Sequence, residues 1–140
     1  MKFSDITSEK WDELKPYLDT CLLPVTGMSG KESPYEATER LERLRDLLDL
    51  VEIPFKGRVV TYPACHYVTA DEPFSKQLAN WCDNLRAAGF QYIILASADQ
   101  TVQLQGAGAD LVLQADDEGE FPEQAEVSER IRALWRTNSP

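Results

Sequence analysis

Four polar stretches hold most of the chemistry open to this 140-residue chain: Thr26, Ser29, Lys31 and Glu32; Cys65, His66 and Tyr67; Ser97, Asp99 and Gln100; and Asp116 with Asp117. Each follows a short apolar run. If those runs are parallel strands, the polar residues gather at the carboxyl ends of the strands, where ligands bind in such sheets. His66 is the only histidine. Its ordinary pKa lies near neutrality, so it could serve as acid, base or ligand. Cys65 beside it brings a thiolate–imidazole pair to mind, but neighbours on an extended chain point to opposite faces. A metal would need three or four ligands, which His66, Glu32, Asp99 and Asp116 could supply in number. Their spacing matches no metal signature, and solvated surface carboxylates are the simpler reading.

Two glycine patterns invite a phosphate-loop reading. Gly106-Ala107-Gly108 precedes a strand, whereas a dinucleotide loop follows one and opens a helix, so these are turn residues. Gly27-x-x-Gly30-Lys31 does follow a strand and precede a helix. It is too short for a Walker loop and has no Ser or Thr after the lysine, leaving only anion binding at the next helix N-terminus. No cofactor loop is recognised.

The balance of 24 acidic against 14 basic residues gives a net charge of −10. Phosphate neutralisation on nucleic acid and attraction to an anionic membrane are both excluded as main roles. Three widely spaced cysteines without a Cys-x-x-Cys pair suggest neither a disulfide framework nor a zinc finger. The first residues lack a signal-peptide core, and no apolar stretch reaches the ~20 residues of a membrane span. A single domain over residues 1–140, in a reducing cytoplasm, is the expectation.

The elements that must position these residues follow from periodicity. A first helix starts at Thr7 or Ser8, with Trp11, Leu14 and Leu18 at helical spacing, and breaks or tightens at Pro16. Thr20–Val25 reads as a buried strand, with Pro24 near its end or on an edge, followed by a loop over Thr26–Glu32. Ser33-Pro34-Tyr35-Glu36 is a capping box with proline at the first helical position. The helix it opens carries an apolar stripe of Ala37, Leu41, Leu44, Leu48 and Val51 and stops before Pro54. Glu36–Arg40, Glu39–Arg43 and Arg45–Asp49 fall four apart on its outer face.

Gly57–Tyr62 is the second strand, and Pro63–Tyr67 continues as extended chain or loop. A helix capped by Thr69 or Asp71 runs to Ala88 with Phe74, Leu78, Cys82 and Leu85 inward, ending at Gly89. Trp81 falls off that stripe, and an outward Trp81 would anchor a partner or a dimer. Tyr92–Ala96 is a strand, Ser97–Ala109 a polar loop, Ala109–Gln114 a strand, and Pro122 opens a last helix with Val127, Ile131, Leu134 and Trp135 inward. Thr137 to Pro140 should fray. The predicted fold is a three-layer α/β domain with a mainly parallel sheet of about four strands, in the order 2-1-3-4 by analogy with doubly wound folds.

The whole chain resembles the YpiF-like proteins, an uncharacterised family from spore-forming Gram-positive bacteria, through Leu22-Leu23-Pro24-Val25-Thr26-Gly27, Pro63-Ala64-Cys65-His66-Tyr67 and Gly89-Phe90. That resemblance implies no activity. Leu23-Pro24-Val25-Thr26-Gly27 and Leu85–Phe90 are also similar to frames in creatininase-like amidohydrolases. The metal loops of those enzymes do not match: Met28-Ser29-Gly30-Lys31 and Ser97-Ala98-Asp99-Gln100 stand in their places. The resemblance therefore implies a kept scaffold and a lost metal site. Together these features favour a non-catalytic binding or interaction module, with a protein or small-molecule partner and a homodimer in view. The alternative is a small hydrolase built on His66, Glu32, Asp99 and Lys31.

Overall fold

The computed structural model describes residues 1–68 and 72–137. Its elements are α1 (Ser8–Leu14), β1 (Thr20–Met28), α2 (Pro34–Glu52), β2 (Val59–Thr61), β3 (Cys65–Tyr67), α3 (Glu72–Ala87), β4 (Tyr92–Ser97), β5 (Leu111–Gln114) and α4 (Gln124–Thr137), with a 3-10 turn at Phe3–Asp5. Helix α1 is capped by Thr7, whose hydroxyl accepts from the Lys10 N–H, and its last residue lies two before Pro16, where the ring disfavours further helix. The expected caps Thr69 and Asp71, and residues 138–140, lie outside the described residues.

The sheet has five strands, ordered β2-β1-β4-β5, with β3 also paired to β1, and every pairing is parallel. That is the expected 2-1-3-4 order, with β3 as an addition. Strand side chains alternate between faces. Cys21, Leu23, Val25, Ile93 and Leu95 pack with α1 and α3, while Leu22, Tyr92, Ile94 and Ala96 pack with α2 and α4. Helices therefore cover both faces of a parallel sheet, as right-handed crossovers require.

Two expectations about β1 need correction. The strand runs three residues past Val25, because β3 offers it a partner there: Val25 pairs Cys65 and Met28 pairs Tyr67. Pro24 lies inside this central strand rather than at an end or edge. Its missing N–H is harmless for a definite reason. The Leu22 carbonyl accepts from the Tyr62 N–H at 2.9 Å, so Leu22 and, two residues on, Pro24 turn their backbone polar groups toward that same neighbour. Opposite Pro24 the neighbour is Tyr62-Pro63-Ala64, the gap between β2 and β3, where no ladder donor is required.

Helix α2 is also rotated from the expected stripe. It buries Leu44, Leu47 and Val51 against the sheet, and Leu41 stays 42% exposed. Helix α3 buries Phe74, Leu78, Cys82 and Leu85 as expected. Trp81 is partly exposed, its ring set edge-on to Phe74 at 6.5 Å.

Trp135 ties α4 to the amino end of the sheet. Its indole N–H donates to Thr20 Oγ1 at 3.0 Å, and the Arg58 guanidinium lies 4.0 Å from its ring centre. Arg58 in turn donates to both Asp19 carboxylate oxygens, at 2.9 and 3.1 Å. Trp135→Ala removes a buried ring and one of the two hydrogen bonds of the Thr20 hydroxyl, leaving its bond to Asp19. It is expected to cost about 3–5 kcal/mol, read as a lower urea midpoint with little change in slope.

Candidate functional site

Helix α2 enters beside the carboxyl end of β1. The Ser33 N–H and hydroxyl both donate to Glu36 Oε1, at 3.2 and 2.7 Å, and fix the first turn. Glu36, Glu39, Arg40 and Arg43 then share one flank of the helix, three and four residues apart. Facing them are the loop after β4, Ala98 to Thr101, and the turn Glu118-Gly119-Glu120. Between lies a cleft of about 620 Å³ that also reaches Thr26.

Arg40 spans this cleft. Its Nη1 donates to Asp99 Oδ2 at 3.2 Å and to the Gly27 carbonyl at 3.5 Å, and its Nε lies 4.0 Å from Glu32 Oε2. Asp99 is held from every side. Its Oδ1 accepts from the Thr101 N–H at 2.8 Å and hydroxyl at 2.6 Å. Its N–H donates to Ser97 Oγ at 3.2 Å, and its carbonyl accepts from Gln114 Nε2 at 2.7 Å. Gly27 sits at φ +90, and a Cβ there would lie 2.9 Å from Asp99 Oδ2. Only glycine permits both the backbone angle and this close approach. Arg43 pins the other loop: Nη2 donates to the Gly119 carbonyl at 2.8 Å, and its guanidinium lies 4.8 Å from the Phe121 ring centre. The turn itself is closed by Asp116 Oδ1, which accepts from the N–H groups of Glu118 and Glu120, both at 2.9 Å.

The sequence-selected residues divide accordingly. Thr26, Asp99 and Gln100 line the cleft. Ser97 is buried beneath it as an acceptor for Asp99. Glu32 turns inward on its own loop, accepting from the N–H of Ser29 (3.1 Å), the N–H of Gly30 (2.9 Å) and the Ser29 hydroxyl (3.3 Å). The N–H donors of the Ser29-Gly30 turn thus already hold a carboxylate. Lys31 is exposed and outside the cleft lining, and Asp117 is exposed.

Cys65 and His66 separate as an extended chain dictates. Cys65 packs toward α3, while His66 borders a different groove on the α2 side and has its Nδ1 2.9 Å from Thr26 Oγ1. Burial pushes the Cys65 thiol up to about 11, with Cys82 adding to the effect, and burial also raises Cys21 and Cys82. Such thiols are poor nucleophiles at neutral pH. Among the described residues no three His, Cys, Asp or Glu side chains converge as a metal would need, and no helix is long and apolar enough to cross a membrane.

Sequence reasoning placed Arg40 and Arg43 on a solvated face paired with Glu36 and Glu39. Arg40 does help to hold the Glu36 carboxyl down, but the two guanidiniums bond across the fold to Asp99 and Gly119, and Arg45 pairs with Asp46. A pairing four residues apart and a pairing across the fold look alike in a sequence. The one usable signal was the crowding of Arg40 and Arg43 into the turns just after a capping box at a strand end.

Residues 9–113 match a protein family of unknown function (DUF2487), and the chain belongs to that family. Searches of curated proteins and of solved structures found no match. The matched span carries Thr26, Arg40 and Asp99 and stops before the Asp116–Glu120 turn.

Gly27→Ala is expected to destabilise clearly more than Gly30→Ala. Both glycines have positive φ, but nothing lies within 4 Å of a Cβ at Gly30. The second change should cost about 1 kcal/mol from backbone strain alone, the first 2 kcal/mol or more, read from paired denaturation curves. The Glu32 loop gives a pH prediction. Partial burial raises the Glu32 pKa, but the N–H groups of Ser29, Glu32 and Gly30 and the Ser29 hydroxyl outweigh it and hold the carboxyl below the ordinary carboxylate range. Its contribution is full above the unfolded value of about 4.3 and is lost as pH falls through the lower folded value. The Ser29 and Gly30 amide resonances should therefore stay fixed from pH 7 to about 5 and move with a midpoint below 4.3.

Proposed function

We propose that this DUF2487 protein is a binding module, and that it holds a small polar molecule in the cleft between α2 and the loops after β4 and β5. One observation carries the reading: the cleft lies where β1 and β4, adjacent in the sheet, send their chains to opposite sides. The chain leaves β1 through α2 toward β2 and leaves β4 toward β5. In doubly wound sheets this topological switch point is where ligands bind. Here Arg40, Thr101 and Asp99 are bonded to one another and shape the wall, while Gln100 offers a donor and Glu39, Glu118 and Glu120 offer acceptors. A ligand rich in hydroxyl, amide or amine groups suits that mixture better than a purely anionic one.

The cleft walls are tied together before any ligand arrives. Arg40 to Asp99 and Arg43 to Gly119 fix the geometry, and preorganised walls reduce the entropy lost on binding. The hydrolase alternative draws on His66, Glu32 and Asp99. His66 bonds Thr26 rather than a carboxylate, and Glu32 is engaged by its own loop. The YpiF-like naming and the creatininase-like frames rest on short segments, and the family match carries neither. A homodimer and a cytoplasmic setting belong to this proposal, with the exposed part of Trp81 as the dimer's anchor.

Native mass spectrometry on untagged protein, purified without chelator, reads copy number and retained molecules together. A stoichiometric small molecule is expected on the wild type. Arg40→Ala should release it, weakening binding about tenfold or more, while costing only about 0.2–1 kcal/mol of stability because the pair is part-exposed. A retained metal ion lost on His66→Ala would overturn the binding reading in favour of the hydrolase.

A further inference from the structure

The opposite flank of α2 borders a second cavity, which the proposed binding role does not use. A groove of about 540 Å³ runs between α2 and the β2–β3 edge, walled by Leu41, Leu44 and Leu48 and floored by Pro24, Thr61 and Ala64. Its origin is the ladder gap opposite Pro24. Proline and alanine are too small to fill the space that a continuous strand of larger side chains would close.

Three observations say what suits it. Thr61 is only 5% exposed, and its Oγ1 is, among the described residues, the buried side-chain polar atom without a hydrogen-bond partner. Thr61 shares the α2-facing side of β2 with Val59, two residues back, so its side chain lies under the helix at the floor of the groove. Buried hydroxyls without partners are rare and unfavourable. The rim is balanced, with Lys2 and Arg45 against Asp49 and Glu52, so it selects neither an anion nor a cation. The volume falls within the range of small-molecule sites, which are mostly apolar with a few placed polar groups.

We infer that this groove binds a small, uncharged, largely apolar molecule carrying a hydroxyl, which pairs with Thr61 Oγ1 while the apolar body lies against Leu41 and Leu48. His66 borders the same groove, with its Nδ1 engaged by Thr26.

The test uses 2-naphthol and naphthalene as probes on the full chain, followed by amide NMR. Saturable shifts at Leu41, Thr61 and His66 are expected for both. 2-Naphthol should bind about five- to tenfold more tightly. Thr61→Val, which keeps the side-chain shape and removes the unpartnered hydroxyl, should bring the two probes within about twofold without lowering the unfolding midpoint. Leu41→Trp, at a half-exposed position, should weaken both by filling the groove. The inference is overturned if shifts concentrate at Gly27, Asp99 and Gln100, or if the naphthol preference survives in Thr61→Val. It is also overturned if the groove amides respond to protein concentration instead of probe, which would make a second copy the occupant.

Discussion

Everything distinctive here depends on the backbone pairing of β1. A strand buried on both faces and flanked on both sides must satisfy each N–H and C=O internally, since no water reaches it. β1 meets that demand over nine residues that include a proline and a glycine, neither of which suits the middle of a sheet. Beside β4 the ladder is continuous from Thr20 to Pro24. On the other side it is split, three residues to β2 and then a shifted register to β3. The split accommodates Pro24 and leaves the groove. The Gly27 backbone at positive φ then lets Asp99 come within contact of β1 and sets the depth of the cleft.

The cleft side is governed by charge pairing in a chain that is strongly acidic overall. Arg40 is 39% exposed and Asp99 18%, so their attraction is substantially screened and adds little to folding. Its effect is geometric. One guanidinium collects the Gly27 carbonyl, Asp99 and Glu32. The β1–α2 connection and the distant loop after β4 are thereby held in one frame, and Arg43 repeats the device one turn later with Gly119 and Phe121. With both guanidiniums committed to the protein, Glu39, Glu118 and Glu120 face the cleft as acceptors, which is why a donor-bearing ligand suits it.

Much of this fold was legible because local signals agreed with one another. The capping box at Ser33, the break before Pro16, the apolar run at Tyr92–Ala96 and the inward stripe of α3 each stand in the structure. The strand order followed from general doubly wound topology. What escaped reading has physical causes. β3 is three residues long, follows a proline and shows no apolar alternation, so its pairing with β1 is visible only in space. Thr26-Gly27-Met28 looks like a loop because glycine disfavours strands, and tertiary pairing overrides that preference. The stripe on α2 reads as Ala37, Leu41, Leu44, Leu48 and Val51, yet the sheet buries Leu44, Leu47 and Val51. The surplus apolar residues on one side of that stripe are those that wall the groove.

Thr26 stands between the cleft and the groove. It is 3% exposed, lies at the carboxyl end of β1 and borders the cleft, while its hydroxyl meets His66 on the groove side. A hydroxyl has one proton and two lone pairs, so bonding His66 uses only part of its capacity. If Thr26 donates to Nδ1, the second imidazole nitrogen carries the proton. If Nδ1 carries the proton, Thr26 accepts it, and its own proton is free to turn toward the cleft. The tautomer of His66 and the direction of the Thr26 hydroxyl are thus one choice, not two.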